Sequence, residues 1–226
     1  LRKHELSGIV WVQPQEVQIP QVLKTSRLLP SVVLGRHVPG QAIHSVEPNY
    51  EMAALLADRH FHQHGASPYA LVGKNILDPL TRQWVDGFTL AQHKRGAEFK
   101  HIEHLVDFVS FMDHDLGRLL DEFYLPYHPE VKGLMFLSSG SLHTTMEDDA
   151  FRQRMFRDFS VMTFDYSHPP VDPFSADRKI SHIRCDWNRI TRRAMETLTL
   201  LADNHEVPTI IREEVTLIEG NTMLSP

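Results

Sequence analysis

KGLMFLSS (Lys132–Ser139), then a helical segment, then FSVMTFD (Phe159–Asp165), is the stretch whose reading decides the fold. Each apolar run is short, lacks charge, and is bounded by polar or turn residues. Both read as buried parallel strands of a helix-covered sheet. In such sheets ligands bind beyond the carboxyl ends of the strands. Ser138, Ser139 and Asp165 are therefore expected on one rim, facing a cleft.

Outward from that stretch, strands and helices alternate. Towards the N-terminus, Ile9 to Val12 reads as a strand, and Glu16 to Leu29 as a short helix interrupted near Pro20. SVVLG and AIHSV follow as strands. Tyr50 to His64 reads as a helix with Met52, Leu55, Leu56 and Phe61 on its apolar face and Gly65 as its stop. YALVG is a strand, Thr81 to Arg95 a helix, HIEHLVDF holds a strand, and Asp113 to Tyr124 is a helix. Between the two central runs a helix is expected from Thr145 to Phe156. Beyond Asp165, SHPPVDPFSAD breaks the rhythm and reads as a connection between two bodies. KISHIRCDW is then a strand, Asn188 to Asn204 a long helix, and TIIREEVTLIEGNT a half-exposed edge or crossover strand.

The alternation predicts an α/β architecture with parallel sheets flanked by helices. Two lobes are expected, one from 1–47 plus 177–205 and the other from 48–176 plus 206–226. LRKHELS reads as the tail of a helix, and no initiator methionine is present. Further residues are therefore expected to precede Leu1.

Composition narrows the function. The 226 residues carry a formal net charge of -6, whereas a free-standing DNA-binding domain is usually basic. These residues are not expected to hold nucleic acid themselves. The single cysteine, Cys185, excludes an internal disulfide and suits a reducing compartment. No apolar run reaches the roughly 18 residues that span a bilayer, and no signal peptide opens the chain. There is no Gly-x-Ser-x-Gly elbow, Walker loop, Gly-x-Gly-x-x-Gly or Cys-x-x-Cys. An enzyme is not expected, nor a cofactor. Among 15 histidines only His60, His62 and His64 cluster. His60 and His64 share a helix face and are a candidate metal pair. No acidic residue completes a His-Glu-x-x-His motif, so solvated helix-end histidines are preferred and no metal is expected.

Three residues stand out as candidate ligand contacts. Asp165 directly follows an apolar strand, where a carboxylate must reach solvent or find a partner. It would accept hydrogen bonds from ligand hydroxyls; the plain alternative is a cap or loop carboxylate. Trp84 offers an apolar plate for a sugar ring or base, unless it is simply core. Arg82 would clamp an anionic or hydroxyl-rich ligand, unless it is a surface arginine.

In order, GIVWV, PSVVLGR, a strand into Val46-x-x-Asn49, a helix ending in Gly65, YALVG, Asp86-Gly87-Phe88, GLMFLSS, FSVMTFD and VTLIEGNT carry a resemblance. The chain resembles the effector-binding domain of LacI/GalR-type transcriptional regulators, which share the type I fold of periplasmic sugar-binding proteins. The likeness runs over nearly the whole chain. It implies a ligand site at Asp165, Trp84, Arg82, Asn49, Ser138 and Ser139. The family's Asp-Asn pair looks like Pro48-Asn49 here. Its Arg-x-x-Gly-Phe has Trp84 in the arginine's place, with Arg82 two residues earlier. Its Asn-Asp pair is Ser138-Ser139, and the aspartate of its Gly-Phe/Tyr-Asp is Asp165. These departures argue for a divergent ligand, or for no small-molecule ligand at all.

The resemblance implies a cytoplasmic, homodimeric regulator or repressor. Its two lobes would close over a sugar or sugar derivative by hinge motion, and operator DNA would be bound by a helix-turn-helix outside these residues. The rival expectation is an extracytoplasmic sugar-binding protein of the same fold. No membrane partner is implied.

Overall fold

A computed structural model describes residues 7–38, 40–73, 79–96, 105–107, 116–165 and 177–224. Two compact units are present: 1–49 with 186–214, and 50–185 with 215–226.

The first unit is built on a four-stranded parallel sheet. Its strands are β1 (Ile9–Val12), β2 (Ser31–Leu34), β3 (His44–Pro48) and β9 (Ile210–Glu213), in the order β1-β2-β3-β9. All four residues of β2 are buried, as expected of a central strand covered on both faces. One face packs on α1 (Ile19–Ser26), where Val22 joins Val33, Ile43, Trp11 and Leu23. The long helix α7 (Trp187–Ala202) packs against β1, β2 and β3 and buries Ile190, Ala194 and Thr197. Asp186 caps it, its carboxylate accepting from the Arg189 amide at 3.0 Å.

The second unit holds a six-stranded sheet in the order β10-β8-β7-β6-β4-β5. The strands are β4 (Tyr69–Gly73), β5 (Leu105–Asp107), β6 (Gly133–Phe136), β7 (Ser160–Asp165), β8 (Ser181–Cys185) and β10 (Val215–Ile218). Only β10 runs antiparallel to its neighbour. Period-2 alternation sorts the side chains. Ala70, Val72, Leu134, Phe136 and Val161 share a core with Leu120, Leu142, Phe151 and Met155. Those partners come from the segment opening at α4 (Leu116–Arg118) and from α5 (Ser139–Met146) and α6 (Asp149–Asp158). Tyr69, Leu71, Met135 and Phe164 are the buried alternates in the same strands. On that side Phe61 of α2 (Tyr50–Gln63) stacks on Tyr69 with centroids 4.6 Å apart, and Phe88 of α3 (Pro79–Lys94) lies 5.6 Å from it.

Two glycines permit the close approaches. A Cβ at Gly133 would meet the Phe61 ring at 2.8 Å, and one at Gly87 would meet the Ala54 Cβ at 2.9 Å, where α3 crosses α2.

Several expectations need correction. Pro20 does not interrupt a helix; it sits in the first turn of α1, where its missing N–H costs nothing. The helix expected from Thr145 to Phe156 is two helices. Asp148 has extended backbone and its carboxylate accepts from the Phe151 amide at 3.0 Å, so a second helix starts there. The segment expected from Asp113 to Tyr124 is described from Leu116, and after one turn it widens into a π-helix over Leu119–Tyr124. Most of SHPPVDPFSAD lies outside the described residues. The unit boundaries fall after Asn49, Cys185 and Glu214, rather than at 47/48, 176/177 and 205/206. Strand β8 belongs to the second sheet because its register pairs Ser181–Arg184 with Met162–Asp165. TIIREEVTLIEGNT is two strands broken at Glu214, β9 in the first sheet and β10 in the second.

Candidate functional site

In the second unit the strands β4, β6, β7 and β8 are parallel and end on one rim. Register matches Phe136 with Thr163 and Asp165 with Arg184, so Ser138, Ser139, Asp165 and Arg184 fall on adjacent strand ends.

Ser138 already has a structural task. Its backbone is extended, and its hydroxyl caps α5 by accepting from the Ser141 amide at 3.1 Å. The two hydroxyls of Ser138 and Ser141 are 2.9 Å apart. A helix start pointing at the rim is the arrangement that receives anionic or oxygen-rich groups in α/β folds. Ser139 is half-buried in the first turn.

Trp84 is placed differently from its expected role. It is fully buried in α3. Its ring packs against Phe164 at 4.9 Å, Tyr50 at 5.6 Å and Phe88 at 5.8 Å. As placed, those rings leave no open face on which a sugar ring would stack. The indole N–H is buried without a hydrogen-bond partner. Trp84 therefore abuts Phe164, the residue before Asp165, as part of the packing beneath the rim. Arg82, two residues earlier in α3, is exposed.

Asn49 belongs to the first unit, where it follows β3 and donates its backbone N–H to the Glu213 carbonyl at 2.8 Å. That unit has charged strand ends of its own. Glu47 is 1% exposed and sits between the His37 ring, 3.0 Å away, and the Arg212 guanidinium, 3.3 Å away. Glu213 is buried and pairs with Arg189 and Arg193 of α7. Neither carboxylate is among the residues the sequence offers as ligand contacts. The signal used for Asp165, a carboxylate closing an apolar strand, was available for both in HSVEP and IIRE.

The second unit also holds a buried polar network away from the rim. The Tyr69 hydroxyl donates to Asp58 Oδ1 at 2.8 Å and accepts from Gln92 at 3.2 Å. Arg95 grips both oxygens of Asp58, at 2.8 and 3.1 Å. Burial, with the Asp58 carboxylate beside it, pushes the Tyr69 hydroxyl well above the usual tyrosine range. These four residues tie α2, β4 and α3 together. No described helix is long and apolar enough to cross a membrane.

No family model matches the sequence, and no curated protein does. Solved structures do match in fold. The transcription regulator CcpA of Lactococcus lactis superposes with a TM-score of 0.76 at 17% identity, over 96% of this chain and 78% of that one. A regulatory protein of the LacI family from Chloroflexus aggregans gives 0.74 at 16% identity, over 96% and 76%. The chain has the LacI-regulator fold. A periplasmic binding protein/LacI transcriptional regulator from Alkaliphilus metalliredigens, solved with D-xylulofuranose, gives 0.69 at 16% identity, over 97% and 79%. In this fold the described second sheet supplies the rim just traced, with Ser138, Ser139, Asp165 and Arg184 on adjacent strand ends.

Proposed function

We propose that the chain is the ligand-sensing and dimerising domain of a LacI-type transcription regulator. The observation that carries this reading is the fold likeness to such regulators over 96% of the chain. Operator DNA is bound by a domain outside these residues, consistent with the net charge of -6. The domain is not an enzyme and works in the cytoplasm.

The effector in this reading is a sugar or sugar derivative held at the carboxyl rim of the second sheet. Asp165 accepts hydrogen bonds from its hydroxyls, and Ser138, Ser139 and the first turn of α5 receive its oxygens. Arg82 supplies a further polar contact. Trp84 contributes by supporting Phe164 below the rim. Support for a sugar comes from the D-xylulofuranose in one protein of the same fold. The effector acts by favouring one conformation of the domain over another.

The test is a thermal-shift screen of the purified chain against sugars and sugar phosphates, followed by Asp165→Ala. A hit whose shift survives that substitution removes Asp165 from the site. The second reading, an extracytoplasmic sugar-binding protein, draws on the same ligand-bound neighbour. Band shifts of the full-length protein on DNA upstream of its own gene separate the two: operator binding supports the regulator, and export with no DNA binding supports the rival.

A further inference from the structure

His60 lies in the last turns of α2, and it is not the solvated helix-end histidine expected from sequence. It is 2% exposed, and neither ring nitrogen has a hydrogen-bond partner. A buried polar group left without a partner calls for a physical explanation. A metal ion does not supply it, because among the described residues no group of His, Cys, Asp or Glu is placed to hold one. The His64 ring packs beside it, one turn further along α2, with centroids 4.4 Å apart and planes at 61°. His64 is itself tied down, its Nδ1–H donating to the His60 carbonyl at 2.9 Å. Glu219, just past β10, holds Oε1 3.9 Å from His60 Nδ1, beyond hydrogen-bond reach, with a side chain that is 71% exposed. The turn after Glu219 is fixed. The Gly220 amide donates to Ser181 Oγ at 3.0 Å, and the Asn221 amide donates to the Lys179 carbonyl at 2.8 Å.

The second unit opens in sequence with α2, and its last stretch opens with β10. The packing of α2 on β10 therefore joins segments far apart in the chain. We propose that His60 is an acid-operated release for this packing. Neutral, it fills a dry site at the end of α2. Protonated, it is a buried cation, which is costly without water or a partner, and the last turn of α2 opens to hydrate it. Glu219 limits that opening by swinging in to pair with the imidazolium. The device operates whatever effector the rim takes.

The charges around His60 agree with this direction. Burial, and then His64, push its pKa below the ordinary 6.5, while Glu219 pulls the other way. On the other elements packed against α2, His182 of β8 has its Nδ1 2.9 Å from the Ile180 carbonyl oxygen, and Arg95, just past α3, is held by Asp58. The folded chain thus takes up this proton less readily than the unfolded one. The stability that goes with neutral His60 is complete above pH 6.5 and is lost as pH falls from there through the lower folded value.

The test is urea unfolding between about pH 7.5 and about pH 5, with hydrogen exchange of α2 as the second readout. One proton lowers the folding constant by at most about tenfold per pH unit. Other carboxylates add to any acid loss, so the assignment rests on differences between variants. His60→Phe should flatten the fall in stability on acidification. Glu219→Gln removes the offsetting carboxylate and should deepen it. His62→Ala, at an exposed position, should leave it as in wild type. Exchange at the end of α2, corrected for the intrinsic effect of pH, should quicken in acid while that of α6 does not. A fall in His60→Phe equal to that of wild type overturns the proposal. Should that variant not fold, Glu219→Gln decides, and a fall unaltered or shallower there overturns it equally. Exchange that quickens as much in α6 does the same, because acid would then loosen the whole unit rather than this contact.

Discussion

Asp58 is buried, and three side chains converge on or beside it, which makes it the residue whose environment is most fully specified. Arg95 is partly exposed, so it can find water if its partner is lost; Asp58 cannot. The two halves of the pair therefore differ in consequence. Arg95→Met strands a buried carboxylate and should cost about 3 kcal/mol, as breaking a buried pair from one side does. Tyr69→Phe leaves Arg95 on Asp58 and should cost only about 1–2 kcal/mol at neutral pH. Chemical denaturation of both variants checks the order; a Tyr69→Phe loss equal to that of Arg95→Met would contradict it. Tyr69 also gives a signed pH dependence. Its folded pKa lies above the ordinary value of 10.0, so the folded state holds the proton more tightly than the unfolded chain. The stability this contributes is complete below pH 10 and is lost as pH rises beyond it towards the folded value. The gap between wild type and Tyr69→Phe should narrow above pH 10, and a gap constant to pH 11 would show that the hydroxyl is not perturbed. None of this network was legible in the sequence, because Asp58, Tyr69, Gln92 and Arg95 come from three elements and no local spacing relates them.

At the scale of elements, the signals that were legible were periods and stops. KGLMFLSS and FSVMTFD were read as buried parallel strands, and they pair in register, Gly133–Phe136 on Ser160–Thr163. Gly65 and Gly96 end α2 and α3 with positive φ, as glycines after a helix do. What misled was local chemistry read without its neighbours. Asp148 was read inside one helix from Thr145 to Phe156, yet its carboxylate caps a second one. Pro20 looked like a breaker, yet it starts one. Trp84 was read as a plate because a single helix does not reveal that Tyr50, Phe88 and Phe164 close around it. Two predictions follow the same elements. Asp148→Ala should cost about 1 kcal/mol, the ordinary loss for an N-cap, and Asp148→Ser should restore most of it, as denaturant midpoints will show. Gly87→Ala places a methyl 2.9 Å from the Ala54 Cβ and 3.2 Å from the Tyr50 carbonyl oxygen. Backbone gives little, so overpacking should cost about 1–3 kcal/mol, despite the gain in helix propensity that alanine brings. A stabilised Gly87→Ala would show that the two helices separate freely.

At the scale of the whole molecule, the α/β class and the order of elements were visible in sequence, and the assignment of the last strands to sheets was not. KISHIRCDW and TIIREEVTLIEGNT carry the same apolar alternation whichever sheet receives them. Only pairing decides, and it sends β8 and β10 to one sheet and β9 to the other. Glu214 is where the chain changes sheets, so a strand pattern that looks continuous spans two units. The ligand hypothesis belongs at this scale too, because binding stabilises the folded chain as a whole. A ligand present at about 100 times its Kd stabilises the folded state by about 2.7 kcal/mol. For a chain of 226 residues that corresponds to a rise in melting temperature of roughly 5–10 °C. If the carboxyl rim of the second sheet is the effector site, Asp165→Ala should abolish that rise. Asp148→Ala, at the start of α6, should lower the melting temperature with and without ligand while preserving the rise. Equal loss of the ligand-induced rise in both variants would mean that binding tracks general stability, and would leave Asp165 without a specific role.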